Sequence, residues 1–355
     1  MHIRPDARPY PGPDAVTDPQ PTPAVPQADG APSLALLRDG ALTLRVHPSL
    51  TGAAEAWIPL NAEPARPGAA RLRLVPGRAR PFDLPAGEPP LQVLRVDGWV
   101  DPAAARVRLA SRDGALWGSV DLARLRAAVA LRPGPLPPQA GYDLSAALSI
   151  AAALLLGRLG RALLHAAAVV APDGRAWLLV GDSHAGKTST CVNLIRAGWD
   201  WLADDQVVAR ADAESGGVVV EGWPRRFTLD DGFETGASLG RRTPTDPGRF
   251  GPGRLRRAAP LGGVLLPRVR AGEPTRLHPA HPADALGALI RQSPWLLADA
   301  QAAPGVLALL SRMSQTCVCH MVLGTDTYAD PALLQVRVAE ALRSPAREPE
   351  GWKRA

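Results

Sequence analysis

The spacing of apolar residues divides the chain into a strand-rich first part and a mixed second part. From Ser33 to about Arg132, short segments alternate apolar and polar residues, and turns rich in proline and glycine separate them. A period of two is typical of half-buried β-strands, so we expect a small antiparallel β-rich domain over residues 33–135. Four segments carry this pattern most clearly: Leu42–Val46, Arg71–Val75, Leu91–Val96 and Arg106–Ala110.

Beyond residue 140, strand-like and helix-like segments alternate, which predicts an α/β domain over residues 140–345. Helices are predicted where apolar residues recur every three or four positions, at Asp143–Gly157, Ser189–Arg196, Pro282–Arg291, Ala303–Ser314 and Pro331–Arg343. Short apolar runs between turn residues predict strands at Leu163–Val170, Ala176–Val180, Trp199–Ala203, Val207–Arg210, Val218–Glu221, Gly262–Val269 and Thr316–Leu323.

Composition narrows the class of protein. Residues 1–32 contain nine prolines and little apolar periodicity, which predicts a disordered tail, and we expect a second tail at 346–355. No run reaches the ~18 apolar residues that a membrane span needs, and no apolar signal segment opens the chain. Three cysteines are too few for a disulfide framework. These features favour a cytoplasmic protein with no membrane partner.

The chain is basic, with a net charge of +6 and a pI near 9.9. Its arginines are dispersed, however, and no segment combines basic and aromatic residues as nucleic-acid-binding modules do. We therefore expect no nucleic-acid partner.

The most specific motif is Gly-Asp-Ser-His-Ala-Gly-Lys-Thr at Gly181–Thr188, between the predicted strand Ala176–Val180 and a predicted helix. A glycine-rich turn lets backbone N–H groups approach phosphate oxygens, and a helix N-terminus and a lysine add positive charge. The chain has two lysines, Lys187 in this motif and Lys353, and uses arginine for its other fixed side-chain cations. In a chain that uses arginine almost everywhere, this lysine indicates a site that needs the slim ammonium group itself. These features predict a nucleoside triphosphate site.

A pair of carboxylates, Asp204 and Asp205, ends the next predicted strand. A magnesium–nucleotide site needs a carboxylate near the metal, and a kinase needs a group that orients or deprotonates the attacking hydroxyl. Two adjacent aspartates could divide these roles if a turn brings both to one side. The alternative is a strand-end turn or helix cap, where aspartate is common.

A histidine, His165, lies in the predicted strand that forms a hairpin with the strand entering the phosphate loop. Its imidazole could contact a transferred phosphoryl group or tune the aspartate pair. By itself, a histidine in an apolar strand is more often a hydrogen-bonded core residue.

Four motifs in this order resemble the catalytic domain of HPr kinase/phosphorylase and its wider relatives: Leu164–Val170, Gly181–Thr188, Ala197-Gly198 and Ala203–Asp205. The resemblance covers about residues 140–345. It implies an α/β P-loop kinase domain of the HPr kinase and phosphoenolpyruvate carboxykinase type, preceded by the small β-rich domain. It also implies ATP and Mg²⁺ as cofactors and a possible homo-oligomer.

The resemblance implies roles for the acidic and histidine residues. Asp204 would be the base for a serine hydroxyl and Asp205 would face the metal, although these two assignments could be exchanged. His165 would lie beside the transferred phosphoryl group.

The resemblance likewise implies how nucleotide and metal are held. Lys187 would contact the β- and γ-phosphates, and Thr188, Asp205 and Glu221 would hold Mg²⁺. The residues implied to bind the triphosphate are Gly181, Asp182, Ser183, His184, Ala185, Gly186, Lys187, Thr188 and Ser189.

One segment departs from the parent enzymes. Their Glu-(Ile/Leu)-Arg-Gly-Leu-Gly signature corresponds here to Val220–Arg226, where Glu221 matches the glutamate near the metal and the rest is lost. Because the signature is lost, the resemblance does not imply that HPr is the phosphate acceptor, nor that the enzyme catalyses the reverse dephosphorylation. The chain resembles more closely the relatives beside peptide-modification genes, including lasso-peptide clusters, in which a precursor-peptide serine is phosphorylated.

Two further features are less specific. Six arginines between Arg241 and Arg257 could form a mobile flap over phosphates or an acidic substrate, or a solvated surface loop. Cys317-Val-Cys319-His320 alternates within an apolar strand, so these side chains are not expected to chelate a metal together.

The sequence therefore predicts an ATP-dependent serine kinase that acts on a protein or peptide, such as a peptide-natural-product precursor. Two alternatives stay open. The chain could be a non-catalytic ATP-sensing module that controls a partner through its β-rich domain, or a kinase of small molecules.

Overall fold

The structure is a computed structural model that describes residues 33–65, 68–77, 83, 89, 91–134, 139–230, 242–270 and 272–343. Within these residues the chain forms two nine-stranded β-sheets, a two-stranded sheet, and helices packed on their faces. This is a mixed α/β architecture. The predicted tails, 1–32 and 346–355, lie outside the described residues.

The strand-rich first part of the chain forms the first sheet. Its strands are β1 (Ser33–Ala35), β2 (Leu42–Val46), β3 (Glu63–Ala65), β4 (Ala70–Pro76), β5 (Leu91–Val93), β6 (Val96–Asp101), β7 (Arg106–Ser111), β8 (Leu116–Asp121) and β9 (Arg126–Leu131). They lie in the order β3-β1-β2-β4-β9-β8-β7-β6-β5.

The prediction of an antiparallel sheet is only partly right. Strands β5 to β9 form an antiparallel meander, but β4 pairs in parallel with both β2 and β9. The whole meander separates β4 from β9 along the chain. Alternation within a strand indicates which face is buried but does not encode so distant a partner.

The second part of the chain forms the second sheet. Its strands are β10 (Arg161–Leu164), β11 (Ala167–Val170), β12 (Ala176–Leu179), β13 (Asp200–Ala203), β14 (Val207–Ala211), β15 (Val218–Gly222), β18 (Ala258–Val269), β19 (Arg276–Pro279) and β20 (Cys317–Leu323). They follow the order β10-β14-β15-β18-β12-β11-β13, with β20 also beside β18 and β19 beside β20. The two-stranded sheet consists of β16 (Phe227–Asp230) and β17 (Arg242–Thr245).

Helices cover both faces of the second sheet. The helices are α1 (Thr51–Ala54), α2 (Ala140–Arg158), α3 (Lys187–Arg196), α4 (Pro282–Arg291), α5 (Ala303–Ser314), α6 (Asp326–Ala329) and α7 (Pro331–Arg343). Apolar residues of α3 and α7 share one core with the sheet, and those of α4 and α5 share another.

Helix α2 lies in the core that joins the two sheets. Leu148 and Leu155 are fully buried with Leu44 and Leu72 of the first sheet and Val208 of the second. Among the described residues α2 is the one helix long and apolar enough to cross a membrane, and most of it is buried within the protein. The helix assigned to the second domain from sequence therefore also covers the first sheet.

A buried polar network also joins the two parts of the chain. The Trp57 indole N–H donates to Ser149 Oγ at 2.9 Å, and the Gln206 side-chain amide donates to the same oxygen at 2.7 Å. The Trp223 indole N–H donates to the backbone oxygen of Trp57 at 2.9 Å, with the two rings 4.8 Å apart. The first part of the chain thus contacts the segment that follows β15.

Two predictions about local structure are corrected. The predicted single strand Leu91–Val96 is two strands joined by a turn at Leu94, which has a positive φ of 55°. The predicted strand Leu163–Val170 is also two strands, because the chain breaks at His165 and Ala166. Strand β10 then pairs with β14, whereas β11 pairs with β12 and β13.

Of the two alternatives for the arginine-rich segment, residues 242–257 agree with the surface loop rather than with a flap over the phosphate loop. Arg241 lies outside the described residues. Residues around Gly251 pack on the C-terminal end of α3, where a Cβ at Gly251 would lie 2.5 Å from Ile195 O. Trp201 N donates to Arg254 O at 3.0 Å. The phosphate loop is at the opposite end of a ten-residue helix, about 15 Å away.

We predict that α2 supplies core stability. Leu148→Ala should lower the free energy of unfolding by about 2–5 kcal/mol, because its side chain is fully buried. Tyr142→Ala, on the same helix but 70% exposed, is the matched control and should change it by less than about 0.5 kcal/mol. Urea unfolding followed by circular dichroism measures both, and equal effects would contradict the placement of α2.

Candidate active site

Three chain segments meet at one edge of the second sheet because β11 lies antiparallel between β12 and β13. Ala167 pairs with Leu179, and Ala168 pairs with Ala203. The start of β11 therefore lies beside the ends of both neighbouring strands. The residues before β11, after β12 and after β13 are brought together: His165, the phosphate loop, and the aspartate pair.

The phosphate loop connects β12 to α3, as the sequence predicts. His184 and Gly186 have positive φ values of 64° and 97°. A Cβ at Gly186 would lie 2.9 Å from Val269 Cγ2, so close packing as well as backbone conformation favours glycine there. The loop contains Gly181, Asp182, Ser183, His184, Ala185 and Gly186, and Lys187, Thr188 and Ser189 open α3.

The ammonium group of Lys187 folds back over the loop. Its Nζ donates to Gly181 O at 2.8 Å and to Asp182 O at 3.0 Å, and the residue is only 7% exposed. Burial lowers the pKa of Lys187, while the negative charges of Asp182 and Asp204 oppose that shift. A cation held in this way is positioned for an anion that would offset the cost of its burial.

The N-terminus of α3 provides further donors. Thr190 N donates to Gly186 O at 2.9 Å, at the first turn of the helix. The N–H groups that precede it have no intrahelical acceptor, since the first turn of any α-helix lacks one. Backbone donors, the helix dipole and Lys187 together make a donor set that fits a phosphate group.

Asp205 accepts from two side chains. His165 Nδ1 lies 3.0 Å from Asp205 Oδ1, and the Arg225 guanidinium contacts the other carboxylate oxygen. The side chains of His165 and Asp205 are each 39% exposed, so this pair is open to solvent.

The imidazole of His165 is neutral near pH 7. Burial and the positive charges of Lys187 and Arg225 lower its pKa to about 4. A neutral imidazole donates through one nitrogen and accepts through the other. Because Nδ1 faces the Asp205 carboxylate, Nδ1 carries the proton and Nε2 carries the lone pair.

Asp204 lies deeper than Asp205 and toward α3. It is 7% exposed, and its charge acts on Lys187, Cys191 and Arg225. Burial, followed by the Asp204 charge, raises the pKa of the Cys191 thiol. The two aspartates therefore occupy different environments, although both interact with Arg225.

Two residues of this site were not found by sequence reasoning. Gln292 O accepts from His165 N at 3.2 Å, and the Gln292 side-chain amide donates to Asp182 Oδ1 at 3.2 Å. Gln292 follows α4 and carries no motif, so no pattern could have indicated it. Arg225 was missed because the segment Val220–Arg226 was considered only for its departure from the family signature.

The polar and charged partners of Glu221 are residues other than the phosphate loop and the aspartate pair. Glu221 is buried in β15, where its carboxylate accepts from the backbone N–H of Arg38. Burial raises its pKa, and its other charged neighbours are Asp39, Arg161 and Arg210. Glu221 shares a sheet face with Val208, which packs toward α2, and its implied metal role stays a prediction.

The remaining residues implied to hold metal are close to the loop. Thr188 lies on the first turn of α3 and is partly exposed. Within the described part of the chain, no three His, Cys, Asp or Glu side chains are grouped to hold a metal ion. Magnesium in nucleotide sites commonly takes one or two carboxylates and completes its shell with phosphate oxygens and water.

Comparison with known proteins gives little support beyond this geometry. No family model matches the chain, and no curated protein is similar to it. Among solved structures, the chain is similar to the Hpr(Ser) kinase/phosphatase from Coxiella burnetii, with 13% identity over 50% of this chain and 94% of that chain and a TM-score of 0.27. A TM-score this low carries no functional argument, so function is argued from the site alone.

We predict that His165 does not titrate between about pH 5.5 and 8. Its ring resonances in NMR spectra, assigned by their loss in His165→Gln, should stay constant over this range because the pKa is about 4. In Lys187→Met the pKa should rise, since one of the cations that lower it is removed. A midpoint near the ordinary value of 6.5 in the unaltered protein would contradict this environment.

Proposed function

We propose that the chain is an ATP-dependent serine kinase that transfers the γ-phosphoryl group of ATP to a protein or peptide. The observation that supports this proposal is the convergence, at one sheet edge, of Lys187, Asp204 and the Asp205–His165 pair. A phosphate-binding loop alone would suit a binding module. The aspartates and the histidine beside it add a metal ligand and a group that orients or deprotonates the acceptor hydroxyl, both of which phosphoryl transfer needs.

In this proposal the loop and α3 hold the triphosphate. When the triphosphate binds, the Lys187 ammonium gives up its hydrogen bonds to the carbonyl oxygens of Gly181 and Asp182 and donates to phosphate oxygens instead. The first N–H groups of α3 donate to the same anion. Thr188 and one aspartate hold Mg²⁺, which neutralises charge on the phosphates when it is bound.

We assign the metal to Asp204. From sequence, Asp205 was preferred for the metal and Asp204 for the base, so this assignment exchanges the two. Asp204 lies toward Lys187 and α3, where this proposal places the triphosphate, whereas the carboxylate of Asp205 is already engaged by direct contacts with Arg225 and His165. The more exposed Asp205–His165 pair then faces the acceptor.

The pair orients the serine hydroxyl and takes its proton. The hydroxyl oxygen bonds to the γ-phosphorus, the bond from that phosphorus to the β,γ-bridging oxygen breaks, and ADP leaves. The proton moves to His165 Nε2, while Asp205 holds Nδ1–H and stabilises the imidazolium. Bound phosphates raise the pKa of His165, because they offset the positive charges of Lys187 and Arg225 that lower it.

The direct test is transfer of label from γ-labelled ATP with Mg²⁺ into a serine-scanned library of peptides and small carrier proteins. We expect label in one acceptor and its loss when the acceptor serine is replaced by alanine. Lys187→Ala should reduce transfer at least about a hundredfold, because transition-state charge loses a preorganised donor. Lys353→Ala, at the other lysine of the chain, is the matched control and should retain activity.

Circular dichroism must show that Lys187→Ala is folded. ATP binding without label in any peptide or protein would contradict the proposal and favour an ATP sensor or a small-molecule kinase. If the two lysine variants were equally active, the phosphate loop would have no role in the reaction.

A second prediction separates the two aspartates. Asp204→Asn should raise the Mg²⁺ concentration needed for half-maximal transfer by at least about tenfold, since a carboxylate ligand is lost. His165→Gln should lower kcat by about 10²–10⁴-fold with little change in the KM for ATP. The opposite pattern, with a raised Mg²⁺ requirement in Asp205→Asn and a pure kcat loss in Asp204→Asn, would restore the original assignment.

A further inference from the structure

The first sheet carries a pocket lined mainly by arginine. The pocket has a volume of about 230 Å³, and its lining includes Arg45, Arg71, Arg73 and Arg126 together with the hydroxyl residues Ser33 and Thr43. The arginines come from three neighbouring strands, β2, β4 and β9. None of these residues belongs to the candidate active site.

Strand alternation explains why the arginines share one face. In β4, Leu72 and Leu74 are buried in the core that contains α2, so Arg71 and Arg73 lie on the opposite face of the sheet. The register then sets Arg73 beside Arg45 and Arg71 beside Arg126. Neighbouring strands are about 4.8 Å apart, so these like charges repel one another.

Three of these arginines lack a carboxylate partner among the described residues. In the part of the chain that the structure describes, Arg45, Arg71 and Arg126 form no ion pair. Asp121 is the register partner of Arg126, but its carboxylate is held by Arg124 at 2.9 Å and by Arg106 at 4.0 Å. The pocket therefore holds a net positive charge at a cost in stability.

A hydroxyl group completes the lining. Ser33 is only 8% exposed and lines the pocket, and its hydroxyl makes no hydrogen bond among the described residues. A hydroxyl beside several guanidinium groups adds a neutral donor that a ligand oxygen could accept from.

We propose that this pocket binds a phosphoryl dianion, either as free inorganic phosphate or as the phosphoryl group of a modified peptide side chain. Guanidinium groups bind phosphate through paired, charge-assisted hydrogen bonds, and a dianion offsets the repulsion between them. The donors surround a small cavity, which fits a compact group better than the extended backbone of a nucleic acid. The pocket uses none of the phosphate-loop residues, so the proposal stands apart from the kinase proposal.

The test measures binding to the full chain in a Lys187→Ala background, which weakens phosphate binding at the loop. The calorimetric probes are inorganic phosphate, a neutral peptide with one phosphoserine, and the same peptide with serine or with glutamate. We expect a phosphate or phosphopeptide signal that falls at least about tenfold with Arg71→Gln and Arg126→Gln combined. Arg175→Gln with Arg337→Gln removes the same net charge elsewhere and should change binding less than about twofold.

Each outcome decides one point. Tighter binding of the phosphopeptide than of phosphate identifies a modified peptide as the source, and equal binding identifies the free ion. No binding at millimolar phosphate, equal losses in both double variants, or equal binding of the glutamate peptide would overturn the proposal. Length-dependent binding of a single-stranded oligonucleotide to the same arginines would replace it with a nucleic-acid surface. Thermal unfolding checks that both double variants fold.

Discussion

The candidate active site depends on the antiparallel pairing of β11 with both β12 and β13. This pairing brings three chain segments together that are separated in sequence, and it does so through backbone hydrogen bonds rather than through the site residues themselves. The break in the chain at His165 and Ala166 matters equally. Strand β10 pairs with β14, whereas β11 pairs with β12 and β13. His165 therefore lies between two strands rather than within one, and its side chain contacts Asp205.

Electrostatics gives this geometry its chemical character. Three cations or potential cations, Lys187, Arg225 and His165, lie near two aspartates in a partly buried setting. The protein keeps His165 neutral by burial and by the two fixed positive charges. In the proposed function a bound triphosphate would add negative charge at the same place, which would couple nucleotide binding to the basicity of His165.

The two parts of the chain are connected close to this site. Ser149 of α2 accepts from both Trp57 and Gln206, and Gln206 directly follows Asp205. Leu60 N donates to Pro224 O at 2.7 Å, one residue before Arg225. The first part of the chain therefore supports the segments that hold Asp205, and the large apolar core around α2 fixes that support.

Sequence periodicity predicted α4, α5 and α7 with the bounds that the structure has, because each has a strong apolar face and clear end signals. The strand–loop–helix around Lys187 was also predicted, since its chemistry is local. Three features were not predicted, because each depends on residues that are distant along the chain. They are the parallel pairing of β4, the break in the chain at His165, and the contact of Gln292 with Asp182. The contact of Glu221 with the backbone N–H of Arg38 was not predicted either, because it also joins distant parts of the chain.

The most direct test of the central claim is a crystal structure of the full chain with Mg²⁺ and a non-hydrolysable ATP analogue. The account predicts β- and γ-phosphates at the N-terminus of α3, in contact with Lys187 Nζ. It also predicts Mg²⁺ between Thr188 and Asp204, with the γ-phosphate facing His165. Nucleotide bound elsewhere, or a γ-phosphate directed away from His165 and the aspartates, would contradict it.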